Sequence, residues 1–279
     1  MKLSRRTIVL GSLALPAICR AEDNPIAALE RKVGGRLGVS ILNTGTGARL
    51  DHRQDERFAM CSTFKLLAVS LLLTRVDKRQ DDLDRRIHFT KESLISYSPV
   101  TEKFTAEGMT LAELCGAALT MSDNTAANLI LAGIGGPPAV TAYARSIGDS
   151  LSRLDRNEPT LNEAVPNDPR DTTTPSAMLN NLRATVLGDA LSPDSRQRLI
   201  AWLVACQTGA KRLRAGLPPD WTVGDKTGSG NNGVANDIAV IWPPGRAPLV
   251  VAAYFAESPI GPDQRDSVLA EVGRIASSV

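Results

Sequence analysis

A serine and a lysine three residues apart, Ser62 and Lys65, open the otherwise apolar run FAMCSTFKLLAVSLLL at residues 58–73. On a helix beginning near Ser62, positions i and i+3 share a face, which brings hydroxyl and amine within hydrogen-bonding reach. Such a pair suits a serine nucleophile activated by a neighbouring base. The same residues also read without chemistry, Ser62 or Thr63 as a helix cap and Lys65 as a side chain reaching back to water. Against the second reading, Phe64, Leu66, Leu67, Ala68, Val69, Leu71, Leu72 and Leu73 leave the helix no clear polar face, which predicts burial on most sides. A lysine entering such a helix is costly unless it is partnered or neutral.

Three more short motifs follow: Ser122-Asp123-Asn124, Glu158-Pro159-Thr160-Leu161-Asn162 and Lys226-Thr227-Gly228. Singly they read as a helix cap, a turn and a strand end whose glycine permits close backbone approach. Together and in this order, the four motifs resemble the class A serine β-lactamases. The resemblance extends over the chain after residue 21.

The resemblance implies a function: hydrolysis of the β-lactam ring of antibiotics through a serine acyl-enzyme, conferring resistance, with no metal or organic cofactor. By the same token Ser62 is the nucleophile, and the backbone N–H groups of Ser62 and Ser229 form the oxyanion hole. Lys65 or Glu158, the latter through a water, takes the serine proton. Ser122 relays a proton to the leaving nitrogen, and Glu158 with Asn162 holds the deacylating water. Substrate contacts fall to Tyr97, Asn124, Lys226, Thr227, Gly228 and Ser229, and the Glu158-Pro159 bond is a candidate cis peptide. Residues 153–171 match the family's omega loop, closed by an ion pair of Arg156 with Asp171 that is expected to be partly buried.

Some positions depart from common family patterns. The strand position where many members carry an arginine holds Ala235, so the guanidinium for the substrate carboxylate is expected from Arg212, or second from Arg214. Cys61 faces Gly230, and Cys115 faces Val69, in the two disulfide schemes that the family uses, so neither bridge forms. A helix N-terminus could lower the Cys61 pKa, and burial could keep the thiol inert.

The elements that must position these residues can be read from pattern. Asp23 or Asn24 can cap a helix that starts at Pro25. Leu37, Val39 and Ile41 alternate along a strand over 36–43, and the turn Thr44-Gly45-Thr46-Gly47 leads to a second strand. From 62 to about 205 the pattern is helix and loop, with helices over 111–120, 124–132, 139–146, 176–187 and 193–205. Thr110 with Glu113, Thr174-Pro175 and Ser192-Pro193 mark helix starts. Strands return over 221–228, 236–242 and 248–256, followed by a helix carrying Val268, Leu269, Val272 and Ile275. The two ends close most simply into one sheet. The expected fold is α/β (α+β), two-domain and DD-peptidase-like, with an antiparallel sheet flanked by helices plus an all-helical domain. An export signal is expected at 1–21, the α/β domain at 22–60 and 205–279, and the helical domain at 61–204.

Composition narrows the classes. A chain of 279 residues with 22% charged residues is that of an ordinary globular protein. Residues 1–21 carry Lys2, Arg5, Arg6 and Arg20 and no acid, so their removal takes the formal charge from +2 to −2. That leaves no electrostatic case for nucleic acid. The same segment has a basic start, Ser4-Arg5-Arg6-Thr7 of twin-arginine type, and an apolar stretch too short to span a bilayer. Export to the periplasm or medium is expected, with a membrane anchor as the alternative. No stable membrane association is expected of the mature monomer. With only His52 and His88 for ligands, metal chemistry is disfavoured. The rival readings are a penicillin-binding DD-peptidase, which lacks the Glu-Pro-x-Leu-Asn loop, and a non-catalytic β-lactam sensor that stays acylated. A Ser-His-Asp hydrolase is weaker, since no G-x-S-x-G elbow occurs.

Overall fold

The computed structural model describes residues 24–279. The expected export segment lies outside the described residues. Asn24 caps α1 (Pro25–Val33): its side-chain oxygen accepts from the N–H groups of Ile26 and Ala27. A cap of this kind contributes about 1 kcal/mol. Gly34, at φ +73°, ends the helix. Next come β1 (Arg36–Asn43), β2 (Arg49–His52) and β3 (Phe58–Ala59), then a tight 3-10 turn (Cys61–Phe64) that runs directly into α2 (Lys65–Asp77).

Two short strands, β4 (Arg86–Ile87) and β5 (Met109–Thr110), pair before α3 (Leu111–Thr120), whose start is a capping box of Thr110 and Glu113. Then follow α4 (Asn124–Ile134), α5 (Gly136–Ser146), β6 (Thr172–Thr173), α6 (Pro175–Leu182) and α7 (Pro193–Val204). The chain closes with β7 (Thr222–Gly230), β8 (Val234–Trp242), β9 (Leu249–Ala256) and α8 (Pro262–Ala276).

The two chain ends meet in one antiparallel sheet of order β2-β1-β9-β8-β7. One face carries Leu37, Val39, Ile41, Val251 and Phe255 against α1 and α8, through residues such as Ile26 and Leu269. The other face, with Tyr254 and Ile238, joins the core of the helical region around α2. Both faces are therefore covered, and β1 is buried along nearly its whole length rather than on alternate residues. Gly38 shows how tight that second face is: a Cβ there would lie 2.3 Å from the Phe58 ring.

Three expectations need correction. The middle of the chain is not purely helix and loop, because β3 pairs with β6 and β4 with β5. The helix expected over 176–187 changes at Arg183 into a single π turn (Arg183–Leu187), where Thr185 Oγ1 bonds back to Asn181 O at 2.8 Å. Strands β7 and β8 run two residues further into their hairpin than the sequence pattern suggested, since pairing continues to Gly230 and Val234.

Candidate active site

Ser62 sits in the turn before α2, and the surrounding backbone is pinned from three sides. Thr63 Oγ1 donates to Met60 O at 2.8 Å and lies 3.1 Å from the Tyr254 hydroxyl. Asn236, on β8, donates to Ala59 O at 2.9 Å and to Met60 O at 3.2 Å. Cys61 takes the left-handed backbone conformation, at φ +45°. Ser62 makes no capping bond. Instead its Oγ lies 2.9 Å from Lys65 Nζ and 3.1 Å from Glu158 Oε1.

Lys65 is fully buried, so it does not reach to water. Its Nζ donates to Ser122 O at 2.8 Å and Asn124 Oδ1 at 2.7 Å, and lies 3.1 Å from Glu158 Oε1. Burial lowers the pKa of this amine, the charge of Glu158 opposes the effect, and the net direction is down. Lys226 is equally buried; desolvation first and the charge of Lys65 second bring it down to about 8.

Between the two amines stands Ser122, in a left-handed conformation at φ +58°. Its Oγ is 3.0 Å from Lys226 Nζ and 3.4 Å from Lys65 Nζ. The helix-cap reading of this motif holds at the same time, through Asp123, which accepts from Ala126 N at 2.8 Å. Asn124 turns its Nδ2 to Ser96 O, at 2.9 Å.

Glu158 is held by its backbone as well as its carboxylate. Asn128 accepts from Glu158 N at 3.0 Å and donates to Glu158 O at 2.9 Å, and the Glu158-Pro159 bond is cis. Asn162 Nδ2 donates to Glu158 Oε2 at 2.5 Å. The loop is closed by Asp171, which is buried and accepts from Asp155 N, Arg156 N and, at 2.6 Å, Arg156 Nε. Arg156 also binds Glu163 at 2.6 Å, so the pair is hydrogen-bonded on several sides, as a buried charge requires.

On the opposite wall, a Cβ at Gly228 would lie 2.8 Å from Met60 O, so only glycine lets β7 approach the Ser62 turn this closely. Arg212 reaches the site: Nη2 donates to Ser229 Oγ at 2.8 Å, Nη1 to Gly228 O and Asn236 O, and Nε to Asp266 at 2.8 Å. Arg214 turns away to Asp225. Ala235 stands opposite Ser229 in the register and brings no charge.

Ser62, Tyr97, Ser122, Asn124, Asn162 and Arg212 share a cavity of about 610 Å³ with Thr227, Gly228 and Ser229. Tyr97 is exposed along it, at φ +62°. Cys61, Cys115 and Cys206 form no disulfide among the described residues. Burial, with the charge of Glu158 second, pushes the Cys61 thiol up, which overrides any helix effect.

Sequence reasoning missed Asn128, Asn236, Asp266 and Thr208, whose Oγ1 lies 2.5 Å from that of Thr227. Only Asn128 left a signal, since it follows Asn124 by one helical turn and shares its face.

Known proteins agree with this geometry. A sequence profile of the β-lactamase enzyme family matches residues 23–279. β-Lactamase CTX-M-8 of Citrobacter amalonaticus is 49% identical over 271 residues, covering 97% of this chain and 93% of the relative. β-Lactamase OXY-2 of Klebsiella oxytoca is 48% identical over 270 residues, with 97% and 93% covered. The solved structure of an ancestral (GNCA) class A β-lactamase superposes with a TM-score of 0.90 at 63% identity, covering 91% of this chain and 97% of that one. The chain belongs to the β-lactamase enzyme family, within class A.

Proposed function

We propose that Ser62 opens the lactam ring and that Lys65 and Glu158 act on it as one coupled base. The carrying observation is a triangle: Ser62 Oγ is 2.9 Å from Lys65 Nζ and 3.1 Å from Glu158 Oε1, and those two groups are 3.1 Å apart. At that separation a proton can pass between amine and carboxylate in one step, so the two act on Ser62 as a unit.

In acylation, Ser62 Oγ attacks the lactam carbonyl while the pair gains the hydroxyl proton. Negative charge on the carbonyl oxygen is met by the N–H groups of Ser62 and Ser229. As the C–N bond breaks, Lys65 gives up a proton through Ser122 to the leaving nitrogen, which returns the pair to its starting proton count. In deacylation, Glu158 takes a proton from a water that Asn162 helps to hold, and the hydroxide adds to the ester carbonyl. Collapse expels Ser62 Oγ, which takes the proton back from Glu158 and regenerates the carboxylate. Glu158 and Asn162 in bonding contact support hydrolysis over the DD-peptidase and sensor readings.

Recognition divides along the cavity. Lys226, Thr227, Ser229 and Arg212 bind the substrate carboxylate where Gly228 lets the backbone close in. Asn124 meets the side-chain amide, and Tyr97 walls the mouth. The chain divides into an α/β domain (22–60, 205–279), which holds the core on one sheet face to itself, and a helical domain (61–204), whose core is shared with the other sheet face. No helix among the described residues is long and apolar enough to cross a membrane. The protein acts on a small β-lactam as a monomer, in the periplasm or medium once residues 1–21 are removed.

Stopped-flow mixing with a penicillin should give a burst of ring opening followed by steady turnover, and a burst with no turnover would overturn the reading. Arg212→Ala should raise KM for penicillins by about ten-fold, the equivalent of a lost charge-assisted hydrogen bond, with a smaller change in kcat. Wild-type KM should itself climb once the pH passes about 8, where the Lys226 ammonium loses its proton and its attraction for carboxylate. An unchanged KM in Arg212→Ala would remove Arg212 from the binding set.

A further inference from the structure

Two carboxylates take no part in the steps above, yet both are fully buried beneath the carboxylate-binding wall. Asp225 precedes Lys226 on β7, and Asp237 lies on β8. Asp237 stands opposite Thr227, which makes it the diagonal neighbour of Asp225 on one face of the sheet. Each has one oxygen bound. Asp225 Oδ1 accepts from Arg214 Nη2, and Asp237 Oδ2 accepts from Leu213 N at 3.1 Å. The other two oxygens, Asp225 Oδ2 and Asp237 Oδ1, are buried with no donor among the described residues.

Two ionised carboxylates so placed repel each other, and each leaves an acceptor unmet. One proton between them answers both problems. We propose that Asp237 is a neutral carboxylic acid donating its proton to the Asp225 carboxylate, and that this pair is the clamp that positions Arg212 for substrate. The bonding partners distinguish the two: Asp225 accepts a charge-assisted bond from a guanidinium, whereas the bound oxygen of Asp237 meets only a backbone N–H. Burial first, and the charge of Asp225 second, push Asp237 well above the usual carboxylate range; Arg212, the Leu213 N–H and Lys226 pull the other way. The Cys206 thiol after α7, hydrogen-bonded to Thr208, feels the charge of both carboxylates, and Asp266 from α8 is engaged by Arg212.

The clamp grips the segment 209–214 at three points. A Cβ at Gly209 would lie 1.8 Å from Asp225 Oδ2, so the backbone there packs on the oxygen that receives the proton. Leu213 and Arg214 make the other two contacts, and Arg212 is carried between Gly209 and Leu213. Asp237 and Asp225 are thus positioning residues that act through Arg212. This rests on the reading of Arg212 as a carboxylate ligand.

Infrared difference spectra test the proton, and kinetics test the clamp. Wild-type enzyme near neutral pH should show a protonated-carboxyl C=O band that disappears in Asp237→Asn. Asp237→Ala should raise KM for a penicillin by about ten-fold with a smaller effect on kcat, and Asp237→Asn, whose amide N–H replaces the acid proton, should recover most of that loss. A carboxyl whose folded pKa is raised destabilises the fold as pH climbs above its unfolded value of about 4. Asp237→Asn removes that fall, so its Tm near neutral pH should equal or exceed that of wild type. If Asp237→Ala does not fold, the infrared and melting results on Asp237→Asn decide. Retention of the band in Asp237→Asn, or a KM as high as that of Asp237→Ala, would overturn the proposal. A wild-type KM in Arg212→Ala would instead sink the carboxylate reading, while the infrared band, which depends on Asp225 and Asp237 alone, would still be lost in Asp237→Asn.

Discussion

Glu158→Gln is expected to give an enzyme that acylates and then stops. The amide keeps the volume of the side chain and a bonding partner for Asn162, but it cannot take a proton from water. General-base catalysis of this kind is worth about 10³-fold, so steady-state turnover should fall by that order. Acylation should survive for an electrostatic reason: the charge of Glu158 is the largest influence holding the proton on Lys65. Without it, burial leaves the amine neutral more of the time, and a neutral amine 2.9 Å from Ser62 Oγ can accept the hydroxyl proton. Ring opening loses no atoms, so intact-protein mass spectrometry should show a long-lived adduct of the whole substrate mass. Loss of turnover with no adduct would mean that Glu158 is indispensable to acylation as well. Near-normal turnover would remove it from the mechanism altogether.

That division of labour was legible in the sequence through the family resemblance, which rests on motifs whose parts lie close together in the chain. Ser62 with Lys65, and Glu158 with Asn162, are each within one helical turn of chain, and each pair proves to be in bonding contact. The groups that hold them were not visible, because tertiary approach alone creates their role. Asn236 reaches Met60 O across 176 residues, and nothing around it in the chain marks it as a support for the nucleophile turn. Asp237 beside it reads as an ordinary strand residue until the register sets it diagonal to Asp225.

The fold shows the same limit. Joining the two ends into one sheet followed from hydrophobic alternation and turn chemistry, and the sheet formed as expected. Strand pairs of two residues, such as β3 with β6, show no period at all, and no pattern could have revealed them. In β1 the alternation of Leu37, Val39 and Ile41 was real but incomplete, since Gly38, Ser40 and Leu42 face a second core built by distant helices.

Lys65→Met should disable one half of the coupled base, and its residual activity should reveal what the other half does alone. Methionine matches the lysine in length and suits the apolar helix, so α2 is expected to form. What disappears is the relay to Ser122 and the positive charge 3.1 Å from Glu158. Acylation should slow by about 10²- to 10⁴-fold, the range of a lost proton-transfer partner. Glu158 remains 3.1 Å from Ser62 Oγ. Residual acylation in Lys65→Met should therefore depend on Glu158, and adding Glu158→Gln to Lys65→Met should slow ring opening further under single-turnover conditions. A double variant as fast as Lys65→Met would show that Glu158 does not share the acylation proton with Lys65, leaving Lys65 as the base for ring opening and Glu158 as the base for hydrolysis only.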